Sequence, residues 1–250
     1  MQVFIITGAS KGIGLALCKV LMDEDNILIC VARTKNEELL QLAKEKKCHV
    51  IFYENNLADS KGIKNLMETM IDHLPEHINS ATLINNAGVV DPIGRTEDND
   101  PLVIMENIAI NLTAPMILSS VFIKKLHNHP ITKKIINISS GAGRKTYTSW
   151  SSYCASKSGL DHYTRVVSEE QKTNPFGVKI ISIAPGIIDT GMQEKIRETN
   201  EKDFELVEQF IGYKKNGHLS SPEETASKLV QMIESETFND LDAIVDLRNF

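Results

Sequence analysis

Short runs of β-branched and aliphatic residues alternate along this chain with longer stretches whose apolar positions recur at helical spacing. Val3–Thr7, Ile27–Val31, Val50–Tyr53, Thr82–Ile84, Ile135–Ile138, Val178–Ile183 and Ala243–Val245 read as seven strands. Between them, apolar residues fall three and four apart, as in Leu15, Cys18 and Met22 or Ile63, Leu66, Met67 and Met70, which places them on one helix face. Several strand runs are apolar at every position, as burial on both faces demands. The alternation predicts βαβ units, hence an α/β fold with a seven-stranded parallel sheet and helices on both faces. No repeat, low-complexity stretch or linker interrupts it, so one domain over residues 1–250 is expected. Two segments stand apart. Asp91–Pro101 is rich in Asp, Asn, Pro and Gly and reads as a surface loop. Thr190–Gly217 mixes charges with Phe204, Phe210 and Tyr213, precedes the helix opened by Ser221-Pro222-Glu223-Glu224, and reads as a lid.

Composition constrains this picture without changing it. With 42% hydrophobic and 24% charged residues, a chain of 250 residues can build a sizeable core and carries no signature of disorder. A net charge of −6 argues against nucleic acid as a partner, because phosphate binding needs a clustered basic surface. The mixed-sign Lys44–Lys47 run reads as a solvated helix end. Cys18, Cys30, Cys48 and Cys154 lie far apart with no C-x-x-C pair, so neither a disulfide framework nor a zinc site is expected. His127 and His129, just before Pro130, read as solvated cations at a helix end rather than metal ligands. The chain opens on strand-like sequence without a basic, apolar leader, and no apolar run approaches the roughly 18 residues of a membrane span. A cytoplasmic protein without membrane contact is the expectation.

Candidate chemistry begins at the first strand–helix junction. Thr7-Gly8-Ala9-Ser10-Lys11-Gly12-Ile13-Gly14 carries glycines in G-x-x-x-G-x-G spacing. Such glycines let the backbone turn tightly and let a pyrophosphate approach amides at a helix N-terminus. That position, after a first strand and before an amphipathic helix, indicates a Rossmann-type, doubly wound dinucleotide-binding domain. NAD-specific sites place an acid after the second strand for the ribose 2′-hydroxyl. Here the strand ends Cys30-Val31-Ala32-Arg33-Thr34-Lys35. Arg33 can pair with a 2′-phosphate and Lys11 adds charge nearby, so NADPH/NADP+ is the expected cofactor.

With Asn85-Asn86-Ala87-Gly88 after the fourth strand and Tyr153-x-x-x-Lys157 on a later helix, the chain resembles the classical short-chain dehydrogenases/reductases over essentially its whole length. The resemblance implies a catalytic tetrad of Asn111, Ser140, Tyr153 and Lys157. It implies cofactor contacts from Gly8, Ser10, Lys11, Gly12, Ile13 and Gly14, then from Arg33, Asn56, Leu57, Asn86, Ala87 and Gly88. Tyr153 and Lys157 would join them, with Lys157 also touching the nicotinamide ribose. Pro185, Gly186, Ile188 and Thr190 would grip the nicotinamide carboxamide. Asn56 departs from an aspartate common in the family, though an amide carbonyl accepts the same hydrogen bond. Thr82–Gly88, Asn111–Pro115, Trp150–Lys157 and the ending Val245–Phe250 are similar to the sepiapterin reductase-like group, and within it to bacterial benzil reductases that form (S)-benzoin. Homodimerisation through the helices bearing Asn111 and Tyr153 is a further family expectation.

Reducing a ketone puts hydride on carbon and negative charge on oxygen, so a site must supply a proton and stabilise that charge. A free tyrosine has a pKa of about 10. Lys157, four residues on and sharing its helix face, is expected to lower it. Ser140 can hydrogen-bond the substrate oxygen, and the family role of Asn111 is to hold a water linking Lys157 to solvent. Each residue also has a plain structural use: Ser139 or Ser140 can satisfy backbone at a strand end, and Asn111 can cap or kink its helix. Tyr147, Trp150 and Met192 flank the catalytic positions, and with Ser140 and the lid's Phe204 and Phe210 they suit a bulky or aromatic carbonyl substrate. The lid aromatics are equally suited to packing it against the body. Asp246 occupies a position where sepiapterin reductases anchor the pterin amino group, and where an aspartate also serves structure. The expected activity is reduction of a ketone or α-diketone. The alternatives are a pterin reductase, a 3-oxoacyl thioester reductase, or a non-catalytic NADPH sensor, which would need no tetrad.

Overall fold

A computed structural model describes residues 1–250. Seven strands, β1 (Gln2–Thr7), β2 (Asn26–Ala32), β3 (His49–Glu54), β4 (Ser80–Asn85), β5 (Thr132–Ile138), β6 (Lys179–Ala184) and β7 (Ile244–Asp246), form one parallel sheet in the order β3-β2-β1-β4-β5-β6-β7. All seven expected strands are present, each displaced or extended by a residue or a few at its ends.

The uninterrupted apolar strands are explained by the two cores. In β1, Phe4 and Ile6 enter one core while Val3 and Ile5 enter the other, on the opposite face. The first core is closed by α1 (Gly12–Val20), α2 (Glu37–Glu45) and α9 (Pro222–Glu234), through residues such as Leu17, Leu39 and Leu229. The second is closed by α3 (Ser60–Asp72), α5 (Ala114–Leu126) and α6 (Ser151–Gln171), through Ile63, Phe122 and Val167. Phe122 is fully buried. Phe122→Ala is expected to lower unfolding free energy by about 3–5 kcal/mol, read as a lower urea midpoint at unchanged slope.

Local chemistry fixes the element ends. Ser221 and Glu224 form a reciprocal capping box at the start of α9, as the sequence predicts. Asp100 caps α4 (Pro101–Ile108), so the expected loop ends where its proline begins a helix. That loop also holds a short 3-10 turn at Thr96–Asp98. The lid segment folds into α7 (Gly191–Arg197) and α8 (Val207–Lys215).

Cys18 and Cys30, 12 residues apart in sequence, meet as buried free thiols with sulfurs 3.5 Å apart, because α1 packs onto β2. One expectation needs correction: α4, a π turn at Ala109–Thr113 and α5 run together as one helix, Pro101–Leu126, long and apolar enough by composition to cross a membrane. Its apolar residues are interleaved with Asn107 and Asn111, which hid the length of the run in the sequence. Part of the helix is buried against the sheet, where Leu118 and Phe122 pack, and both asparagines hydrogen-bond inside the fold.

Candidate active site

The sheet order reverses direction beside β1, and this opens a crevice at the carboxyl ends of the strands. There Thr7 ties two loops together: its Oγ1 accepts from the backbone N–H groups of Asn86 and Ala87, each at 3.0 Å. In return Asn86 Nδ2 donates to Thr7 O at 2.8 Å. Gly8 sits at φ 69° and Gly12 at φ 55°, where only glycine is unstrained. A Cβ on Gly14 would lie 2.2 Å from the Gly8 carbonyl oxygen, so α1 can approach β1 this closely only with glycine there.

A second polar chain places α6. Asn85 Nδ2 donates to Asn137 Oδ1 at 2.8 Å, and Asn137 Nδ2 donates to Thr164 Oγ1 at 2.9 Å, all buried. Buried hydrogen-bond networks of this kind fix orientation as well as contact. They hold the helix that carries Tyr153 and Lys157 at a set angle to β5.

These elements enclose a cavity of about 540 Å³. Gly8, Ser10, Lys11, Gly12, Ile13, Arg33, Asn56, Leu57, Asn86, Ala87 and Gly88 line one end. Ser140, Tyr147, Trp150, Tyr153, Lys157, Pro185, Gly186, Ile188, Thr190 and Met192 line the other. Three predicted site residues lie off its wall. Gly14 packs beneath Gly8. Asn111 is fully buried with its side chain engaged: Oδ1 accepts from Val89 N–H at 2.9 Å, and Nδ2 donates to Val89 O at 2.8 Å, Asn107 Oδ1 and Ser156 Oγ. It stands behind Gly88, where a Cβ would meet Asn111 Oδ1 at 3.2 Å and Lys157 Nζ at 3.6 Å. The π turn around it shifts the backbone register, since Ala114 N–H reaches back to Ala109 O. Asp246 is the third: both its oxygens are taken by Arg248, with Nε at 2.9 Å and Nη2 at 2.6 Å.

The candidate catalytic side chains sit in low-dielectric surroundings. Lys157 Nζ donates to Ile138 O at 2.9 Å, and burial pushes its pKa down to about 8, opposed by the negative charge of Asp161. Asp161 is itself buried, held by Ser182 Oγ at 2.6 Å and Arg144 Nε at 3.1 Å. Tyr153 departs from expectation. Burial raises its pKa above the ordinary value, and the polar Ser140 side chain only partly offsets this. Lys157 donates to a carbonyl rather than to the phenol, so it does not reverse the desolvation. The phenol is therefore protonated at neutral pH.

Aromatic rings form the far wall. Trp150 stacks on Tyr147 at 5.1 Å and on Phe204 at 5.0 Å, and meets Tyr153 edge-on at 5.7 Å. Phe204 is fully buried and does not reach the cavity, whereas Phe210 and Tyr213 do. One lid phenylalanine thus packs the lid and the other lines the site. Sequence reasoning missed Tyr213, Lys145, Arg248 and Asn55 as lining residues, and Asn107 and Asp161 as supports. Asn107 had a signal, its i, i+4 spacing from Asn111 within an apolar run. The others become visible only when separate elements converge.

The glycine cradle, the basic dinucleotide end and the buried, unpartnered Asn55 Oδ1 fit a nicotinamide dinucleotide. This fold and this Ser140, Tyr153 and Lys157 arrangement define a nicotinamide-dependent oxidoreductase acting on CH–OH and C=O groups. The short chain dehydrogenase family model matches residues 2–201, and the chain belongs to the short-chain dehydrogenase/reductase family. It is 38% identical to a benzil reductase ((S)-benzoin forming) of Bacillus cereus over 95% of this chain and 96% of that one. It is 30% identical to sepiapterin reductase of Rattus norvegicus over 94% of this chain and 92% of that one. Among solved structures, the KRED1-Pglu enzyme superposes with a TM-score of 0.83 at 26% identity, covering 98% of this chain and 100% of that one.

Proposed function

We propose that this carbonyl reductase uses NADPH to reduce an aromatic α-diketone of the benzil type to the (S)-hydroxyketone, with Tyr153 as proton donor. The observation that carries the reading is the convergence of a protonated, buried Tyr153, the Ser140 hydroxyl and an aromatic wall on one cavity. The glycine loop would hold NADPH, with Arg33 and Lys11 available to its 2′-phosphate, and the bound cofactor would supply the hydride. Ser140 and Tyr153 orient the substrate carbonyl and stabilise the charge that develops on its oxygen. Tyr153 then gives up its proton, which Lys157 helps to replace. Asn111 supports this by holding the loop beside Gly88, and its family role of positioning water falls to the backbone of the π turn. Segment 190–217 acts as the lid of a single domain. A homodimer is consistent with the exposed apolar residues Leu102, Met105, Met116 and Val166 on α4, α5 and α6; a monomeric sedimentation mass would rule it out. A cytoplasmic location accords with four free thiols.

Asp246 argues against the pterin alternative, because its carboxylate is already engaged by Arg248 and lies off the cavity wall. NADPH oxidation measured with benzil, sepiapterin and a 3-oxoacyl thioester is expected to give the highest kcat/KM with benzil, and chiral chromatography to return (S)-benzoin. Preference for the pterin or thioester would overturn the substrate assignment.

The pH dependence follows from Lys157. With its pKa near 8, the side chain is charged below that pH and neutral above it. If the charged form serves proton supply, kcat/KM for ketone reduction is level at lower pH and declines above about pH 8. A profile flat to pH 10 would remove Lys157 from that role.

A further inference from the structure

The cavity carries charge of one sign. Its 40 lining residues include the basic side chains Lys11, Arg33, Lys145, Lys157 and Arg248 and not one carboxylate, in a chain whose net charge is −6. Lys11 and Arg33 lie at the dinucleotide end and Lys157 at the reacting carbonyl. Lys145 and Arg248 have neither role. Lys145 lies on the segment between β5 and α6, two residues before Tyr147; it is exposed and enters no ion pair, whereas its neighbour Arg144 is held by Asp161. Arg248 follows β7 and lies against the other wall, its Cγ and Cδ 3.6 and 3.7 Å from where a Cβ on Gly186 would stand.

Asp246 sets the orientation of Arg248. It accepts from Nε and Nη2 at 2.9 and 2.6 Å and also from the Arg248 backbone N–H at 3.1 Å. The carboxylate therefore stands off the wall and the guanidinium on it, with the remaining donors of its fork free. Arg248 and Tyr147 line the same cavity. A neutral diketone offers these two cations nothing, and an amino group would meet like charge.

We propose that this mouth is an anion subsite: the preferred substrates are aromatic ketones carrying a carboxylate remote from the reacting carbonyl, recognised by Lys145 and Arg248. The inference rests on the reductase reading above and deepens it.

The test compares kcat/KM for benzil and for benzil bearing one para-carboxylate, with NADPH saturating. The wild-type ratio is expected to favour the carboxylate by about fivefold to tenfold at low salt and to shrink as salt screens the charges. Lys145→Gln and Arg248→Gln are expected to lower the ratio. Asp246→Asn should raise it, because it leaves the guanidinium uncompensated. A latch that only held the C-terminal end in place would move Asp246→Asn and Arg248→Gln the same way, and that result overturns the proposal. Equal kcat/KM for both diketones in the wild type overturns it while leaving the reductase reading intact. Turnover of neither would remove both. A wild-type preference for a coenzyme A thioester over its neutral cysteamine analogue, without any for the carboxylated diketone, would assign the mouth to phosphate and also defeat the proposal.

Discussion

Tyr153→Phe is expected to cut kcat for ketone reduction by about two to four orders of magnitude, the range for loss of a positioned general acid, while NADPH affinity changes little. The ring is buried and packs edge-on against Trp150 at 5.7 Å, so phenylalanine keeps the packing and removes only the hydroxyl. Lys157 keeps its bond to Ile138 O, because it does not depend on the phenol. Burial holds the wild-type phenol protonated at neutral pH, so a proton is available for reduction, whereas alcohol oxidation needs the phenolate and should accelerate with rising pH. Stopped-flow single-turnover rates, with fluorescence titration of NADPH, separate the chemical step from binding. Retention of most of the rate would remove Tyr153 from proton transfer.

Arg33→Asp is expected to shift the NADPH-to-NADH ratio of kcat/KM by about two orders of magnitude. Losing a charge-assisted phosphate contact costs about 1.5–3 kcal/mol, and each 1.4 kcal/mol is tenfold. The carboxylate additionally repels the 2′-phosphate and offers an acceptor to a 2′-hydroxyl. Arg33 is well placed for this: it directly follows β2, is exposed on the cavity wall and pairs with no acid, whereas Lys35 is drawn to Glu54 at 3.5 Å. Lys11 remains in the variant, so some NADPH use persists. An unmoved ratio would place Arg33 outside the cofactor site.

Features set within one strand or one helical turn were legible in the sequence. The strand–helix alternation predicted the parallel sheet because two-sided burial leaves continuous apolar runs, as Val3 to Ile6 divide between two cores. The glycine loop was legible because its backbone geometry is local, and Tyr153 with Lys157 because four residues are about one helical turn. Ser140 and Thr190 were placed by their order relative to those motifs. What the tertiary structure alone decided concerns which groups are already engaged. Asn111 is the clearest case: a polar residue within reach of the site spends its side chain on Val89, Asn107 and Ser156. Phe204 and Phe210 look alike in sequence, yet only Phe210 reaches the cavity, because Trp150 lies flat over Phe204. Tyr153 holds its proton because desolvation by the surrounding fold exceeds what Ser140 returns. Asp246 was visible as an acid but not as one neutralised by Arg248, whose basic group faces the cavity instead. Pattern assigns a residue to an element and a face, whereas its hydrogen-bond partner and its charge state depend on which other element packs over it.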